Sequence, residues 1–148
     1  MALIRQDLYD RIVSVRRTLH QYPELSGQET RTAAVIADFL RGIGIQCRTN
    51  VAGTGVIADI PGMAEVPCVV LRADTDALPI QEETGLEFAS AHDGVMHACG
   101  HDGHTAMLLG AAALLSSEGD LPAPVRLIFQ PAEEKGTGAQ AMIQAGAL

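Results

Sequence analysis

The stretch Val66-Pro67-Cys68-Val69-Val70-Leu71-Arg72-Ala73-Asp74-Thr75-Asp76 decides the fold class. Its first half is short, apolar and β-branched, which predicts a strand, and the nearly continuous run Cys68 to Leu71 predicts one covered on both faces. Its second half turns abruptly polar at Arg72-Ala73-Asp74-Thr75-Asp76. Polar groups directly after a buried strand are where open α/β sheets place their sites. In an extended segment, residues two apart face the same way, so Asp74 and Asp76 are expected to approach one ion together.

Upstream of this stretch lie two helical patterns and two shorter strand patterns. Leu3, Ile4, Leu8, Ile12, Val13, Val15 and Leu19 form a helical stripe that stops before Pro23. Ser26 and Glu29 have the spacing of a capping box, followed by Ala33, Ala34, Ile36, Phe39 and Leu40 up to Gly42-Ile43-Gly44. Ile45 to Arg48 alternates, and Val56 to Ile60 is a β-branched run closed by Pro61-Gly62. Downstream, residues 81–94 read as a loop, residues 103–117 as a mostly buried helix, Val125 to Phe129 as a buried strand and residues 136–145 as the start of a helix. Helices and strands in this order predict an α/β domain with a mixed or parallel sheet.

The chain has 148 residues, 47% of them hydrophobic, enough for one core but not for two ordinary domains. Eighteen acidic residues against ten basic ones give a formal charge of −8, and Lys135 is the sole lysine. Nucleic-acid binding, which needs clustered Lys and Arg, is therefore not expected. The longest apolar run, around Ala106 to Leu115, is shorter than the roughly 20 residues of a membrane span. The charged start lacks the apolar stretch of a signal peptide, so a soluble cytoplasmic protein is expected. Cys47, Cys68 and Cys99 are odd in number and lack the spacing of a disulfide framework, so at least one thiol should be free.

The densest chemistry lies in Met96-His97-Ala98-Cys99-Gly100-His101-Asp102-Gly103-His104. Thiolate and imidazole suit Zn²⁺ and neighbouring first-row metals. The cluster precedes a helix, whose N-terminal N–H groups are expected to lower the Cys99 pKa as a ligand requires. Glu133-Glu134 follows the strand Val125 to Phe129 through Gln130-Pro131. Adjacent residues point differently, which lets one Glu bind metal while the other moves a proton. Any one of these groups alone reads as a solvated polar turn. Three of them at predicted strand ends and a helix start, in a sheet that would bring them together, point to a metal centre. A thiol nucleophile at Cys99 is the rival chemistry, but it leaves the acids at the two strand ends without a task. Gly53-Thr54-Gly55 precedes a strand and is a weak phosphate loop.

Four segments, Leu19 to Ser26, Arg72 to Pro79, Gly94 to Thr105 and Gln130 to Glu134, together resemble the M20 metallopeptidase family. The match is to its amidohydrolase branch of N-acyl-amino-acid, hippurate and indole-acetyl-amino-acid hydrolases. The resemblance implies hydrolysis of an N-acyl amino acid amide by water activated at two divalent metal ions, Zn, Mn, Co or Ni. It implies Cys99, His101 and Glu134 as metal ligands, with Cys99 the shared one, and Glu133 as general base. Asp76 corresponds to the acidic position behind the site, Asp102 and His104 to further orienting groups, and His20 to a structural position.

The resemblance further implies that residues 1–148 form the N-terminal part of a mixed-sheet catalytic domain with helices on both faces. The inserted domain that serves dimerisation and closure is missing, as are two later His ligands, and Lys135 stands where the branch usually has Gly. A truncated, weakly active or inactive chain is expected, prone to self-association through an uncovered sheet edge. A di- or tripeptidase fragment and a non-catalytic metal-binding remnant are the alternatives.

Overall fold

The computed structural model describes residues 5–64 and 66–148. Its elements are α1 (Gln6–Gln21), α2 (Thr30–Gly42), β1 (Cys47–Val51), β2 (Gly55–Ile60), β3 (Val69–Asp74), α3 (His101–Glu118), β4 (Val125–Gln130) and α4 (Gly138–Gln144). The strands form one sheet in the order β1-β2-β4-β3. β1 with β2 and β2 with β4 are antiparallel, whereas β3 and β4 run parallel, so the sheet is mixed. Parallel neighbours need a long crossover, and α3 with its flanking loops supplies it.

Alternation along the strands separates two apolar layers. Val56, Ala58, Leu127 and Phe129 face Ile36 and Leu40 of α2 and Leu109 of α3 in the main core. Ile57 and Ile128 point the other way, onto Met142 of α4, Ala147 and Val51. Helices therefore cover both faces, three on one and the short α4 on the other. Each fully buried Leu, Ile or Phe here contributes roughly 1.5–3 kcal/mol. α1 packs on α3 at close range: a Cβ on Gly110 would stand 2.6 Å from Ile12 Cδ1, so a larger residue there would require the Ile12 side chain to move. Among the described residues no helix is long and apolar enough to cross a membrane.

Two expectations change. β3 is not covered on both faces: Val69 is 49% exposed and Val70 41%, while burial begins only at Ala73 and Asp74. β3 is the last strand in the order, and α3 shelters its C-terminal end alone, so the apolar run marks an edge strand. The capping box of Ser26 and Glu29 does not form either. α2 starts at Thr30 with no side-chain bond from Glu29 to its N–H groups. Glu24 caps it instead, accepting from Arg31 N at 3.1 Å and Thr32 N at 2.8 Å. Ser26 and Glu29 are drawn to partners remote in sequence. Leu3 and Ile4 of the first helical stripe lie outside the described residues.

Candidate metal centre

The parallel pairing of β3 and β4 sets Asp74 opposite Gln130, so the segments that follow the two strands leave from the same edge of the sheet. Thr75 Oγ1 donates to the Gln130 carbonyl at 3.0 Å, and Thr105 Oγ1 of α3 donates to the Asp74 carbonyl at 3.0 Å. These bonds join three chain segments: residues 74–75, the end of β4 at Gln130 and the N-terminal part of α3. That helix starts two residues earlier than its composition suggests, at His101, with Gly100 in the left-handed conformation at φ 83°. Cys99, His101 and His104 thus enter the site from one tight turn.

Asp76 is the floor of this arrangement. It is 1% exposed, and its carboxylate accepts from Glu133 N and Glu134 N, both at 3.0 Å, and from Ser26 Oγ at 2.6 Å. Burial works to raise its pKa, but His101, Ser26 and the two N–H groups outweigh it and hold the carboxyl far below the usual range. Asp74 takes the other side of the His101 ring. Asp74 Oδ2 lies 3.6 Å from Nε2, whereas Asp76 Oδ1 lies 3.4 Å from Nδ1. The two acids therefore do not share an ion as their spacing suggests. They flank opposite nitrogens of one imidazole, and Asp76 is saturated by other donors. Asp74 is held by His104 Nδ1 and Arg72 Nη1, each at 2.7 Å.

His101 Nδ1 sits 2.8 Å from the Asp76 carbonyl, an acceptor, so this nitrogen carries a hydrogen. Burial works to lower the ring's pKa, but Asp76 and Asp74 outweigh it and raise it, so Nε2 offers a lone pair in the neutral ring, the form a metal ligand requires. Nε2 faces Asp74 Oδ2 at 3.6 Å, Glu134 Oε1 at 3.7 Å and Glu133 Oε2 at 4.0 Å, beyond hydrogen-bond reach of all three. Glu134 Oε1 is buried without a partner. Donor atoms of Cys99, His101 and Glu134 all lie within 4.8 Å of one another. Three potential metal-binding side chains thus converge on one gap, with Glu134 Oε1 left unpartnered in it. A divalent cation satisfies all of them, and a thiolate, an imidazole and a carboxylate suit Zn²⁺, Mn²⁺, Co²⁺ or Ni²⁺. Asp74, His101 and His104 make a second three-donor group, in which Asp74 and His104 already bond each other.

The Cys99 thiol departs from expectation. Its pKa is raised, not lowered, because the Glu134 carboxylate beside it favours the protonated thiol, and burial and the negative charges of Glu133 and Asp74 add to the effect. Acidic neighbours outweigh the helix N-terminus, and a bound cation would reverse the sign. All three cysteines are free thiols.

Behind the site, Asp102 faces away from the gap and accepts from Arg16 Nε at 2.7 Å and His20 Nδ1 at 2.8 Å. The other ring nitrogen of His20 lies 3.1 Å from Glu82 Oε1, so His20 brackets α3 to the loop after β3, in keeping with a structural position. His97 is buried with both ring nitrogens unpartnered, and burial pushes its pKa down to about 4, so it is a neutral ring. Sequence reading did not single out Glu29, Arg72, Glu82 or Thr105 for the site. Glu29, Glu82 and Thr105 carry no local motif for these roles, since the partners Ala132, His20 and Asp74 are remote in sequence, whereas Arg72 reaches Asp74 two residues on.

Residues 70–148, more than half of the chain, match the profile of peptidase family M20/M25/M40. The chain belongs to this family. The M20 resemblance carried by the four motifs is borne out. This M20 chain is 56% identical over 142 residues to N-acetyl-L-cysteine deacetylase of Bacillus subtilis, covering 95% of the chain and 34% of that relative. It is 48% identical to IAA-amino acid hydrolase ILR1-like 5 of Arabidopsis thaliana, covering 97% of the chain and 33% of the relative. The solved structure of the Bacillus subtilis YXEP protein, described as a dinuclear metal binding peptidase of the M20 family, superposes with a TM-score of 0.93. Identity to it is 48%, over 97% of this chain and 40% of that one. The chain spans between a third and two fifths of the length of these relatives.

Proposed function

We propose that this M20 chain carries the metal-holding and proton-transfer part of an enzyme that hydrolyses the amide bond of N-acyl amino acids. The observation that carries the reading is the convergence of Cys99, His101 and Glu134 within 4.8 Å, with Glu134 Oε1 buried and unpartnered. In this reading Cys99 as thiolate, His101 as neutral imidazole and Glu134 as carboxylate would hold a divalent cation. Divalent ions bound there would supply Lewis-acid polarisation of the scissile carbonyl and a water acidified toward neutrality.

Glu133 is the proton carrier. Its side chain is 41% exposed while its backbone N–H is anchored on Asp76, so the carboxylate reaches into solvent from a fixed base. It takes the proton from the attacking water and returns it to the departing amine, a contribution of about 10²–10⁴ in rate. Asp76 orients the loop that carries both glutamates and sits behind His101, and its effect passes through them. Three donors cannot complete two metal positions, so further ligands and the groups that recognise the substrate's carboxylate come from elsewhere in the assembled enzyme. Self-association through the exposed edge of β3 fits Val69 and Val70. Three unpaired thiols fit a reducing, cytoplasmic setting.

The test is an assay of the natural-length polypeptide that contains these residues, on N-acetyl amino acids and on dipeptides, before and after exhaustive chelation. Metal-dependent release of acetate from N-acetyl amino acids is expected, with little turnover by residues 1–148 alone. Cleavage of dipeptides only would replace the substrate class with that of a peptidase. Full activity after chelation would move the chemistry to the Cys99 thiol, and metal binding without turnover of either substrate would leave a non-catalytic module.

A further inference from the structure

We infer that Glu29 is a positioning residue for Glu133 and Glu134: its buried carboxylate holds Ala132 in the conformation from which the pair projects. The inference rests on the roles proposed above for those two glutamates. Glu29 is 0% exposed and lies at the start of α2, yet it bonds none of the N–H groups of its own helix. Its Oε1 accepts from Ala132 N at 2.9 Å, and its Oε2 accepts from Thr54 Oγ1 at 2.7 Å. Thr54 belongs to the turn between β1 and β2, so one carboxylate ties three segments together.

Ala132 is the residue that needs holding. Its φ is 51°, in the left-handed region that a residue with a Cβ avoids, and it directly precedes Glu133. On its other side the loop is pressed against Gly138, whose N–H donates to the Ala132 carbonyl at 3.1 Å. A Cβ on Gly138 would fall 1.7 Å from the Pro131 carbonyl oxygen, so the approach admits only glycine. With the Ala132 carbonyl fixed by Gly138, its N–H is fixed by Glu29. The next two N–H groups, of Glu133 and Glu134, are fixed by Asp76. Three consecutive N–H groups therefore end on two buried carboxylates from separate parts of the chain. Removing Glu29 leaves the Ala132 N–H without an acceptor and frees φ to return to negative values. The peptide planes that feed Glu133 and Glu134 would turn with it.

The test measures Co²⁺ binding to residues 1–148 by visible and near-ultraviolet absorption, with thermal unfolding of the metal-free chain recorded for each variant. Glu29→Ala is expected to weaken Co²⁺ affinity by about 10–100-fold, the usual loss when a group that orients a ligand is removed. Glu29→Gln keeps an oxygen for Ala132 N–H and an amide for the Thr54 hydroxyl, and should bind within about threefold of the parent. Adding Ala132→Gly to Glu29→Ala should recover part of the affinity, because glycine holds a positive φ without help. Leu109→Ala, a core variant, controls for general destabilisation and should leave the Co²⁺ spectrum unchanged.

Unaltered affinity in Glu29→Ala, equal loss in Glu29→Gln and Glu29→Ala, or absence of rescue by Ala132→Gly would each overturn the inference. Should Glu29→Ala not fold, Glu29→Asp, too short to span Ala132 and Thr54 together, takes its place, and parent-like binding by it would overturn the inference equally. If Glu134→Ala also binds Co²⁺ like the parent, the ligand assignment has failed, and not the positioning role.

Discussion

Asp76 and Glu134 are carboxylates on two sides of one hydrogen bond, the N–H of the second donating to the oxygen of the first, yet their surroundings are opposite. Asp76 is ringed by donors: two backbone N–H groups, a serine hydroxyl and the His101 side chain. Glu134 is faced by other electron-pair donors, Cys99 Sγ and His101 Nε2, and keeps a buried oxygen with no partner. The difference teaches that residue type does not fix a role in this site. A carboxylate ringed by donors is fitted for scaffold, and one set among potential metal ligands with an unpartnered oxygen is a candidate to hold a cation.

Four substitutions sharpen or break that contrast. On the open side, Glu133→Gln should lower turnover of the natural-length polypeptide by about 10²–10⁴ while leaving metal affinity and unfolding temperature near the parent's. A matching fall in metal affinity would show that Glu133 holds the ion and does not carry the proton. Glu134→Ala should lower Co²⁺ affinity by about 100-fold, at or beyond the range for orienting groups, with metal-free stability within about 0.5 kcal/mol of the parent. Calorimetric titration and denaturant unfolding read the two quantities separately.

On the closed side, Asp76→Ala should cost about 3 kcal/mol of metal-free stability, because it strands a buried hydroxyl and two N–H groups, and metal affinity should fall with it. If Asp76→Ala were as stable as Glu134→Ala, the distinction between scaffold and ligand would be wrong. The smallest effect is expected at His104→Ala, which removes one partly exposed bond to Asp74, for about 1 kcal/mol in unfolding experiments and a minor change in metal affinity.

Much of the fold was legible because its signals are local. The apolar runs Val125 to Phe129 and Val66 to Leu71, the turn residues around them and the apolar composition of α3 each declare an element within a dozen residues. The exposure of Val69 and Val70 was not legible, since it depends on β3 standing last in the sheet order. In the site, Cys99, His101 and Glu134 could be named from the motifs, and the structure brings them together. The roles of Ser26 and Glu29 could not, because their partners Asp76 and Ala132 lie 50 and 103 residues away, and the capping-box spacing supplied a plausible local reading in their place. The direction of the Cys99 shift was hidden for the same reason: the helix start is local, but the acids that outweigh it come from β3 and from the loop after β4.

The most direct test of the account is the absorption spectrum of residues 1–148 titrated with Co²⁺, recorded beside Cys99→Ser. A sulfur-to-cobalt charge-transfer band that saturates with the metal and vanishes in Cys99→Ser is the predicted result. The same band in Cys99→Ser, or none in the parent at saturating Co²⁺, would contradict a metal centre built on Cys99, His101 and Glu134.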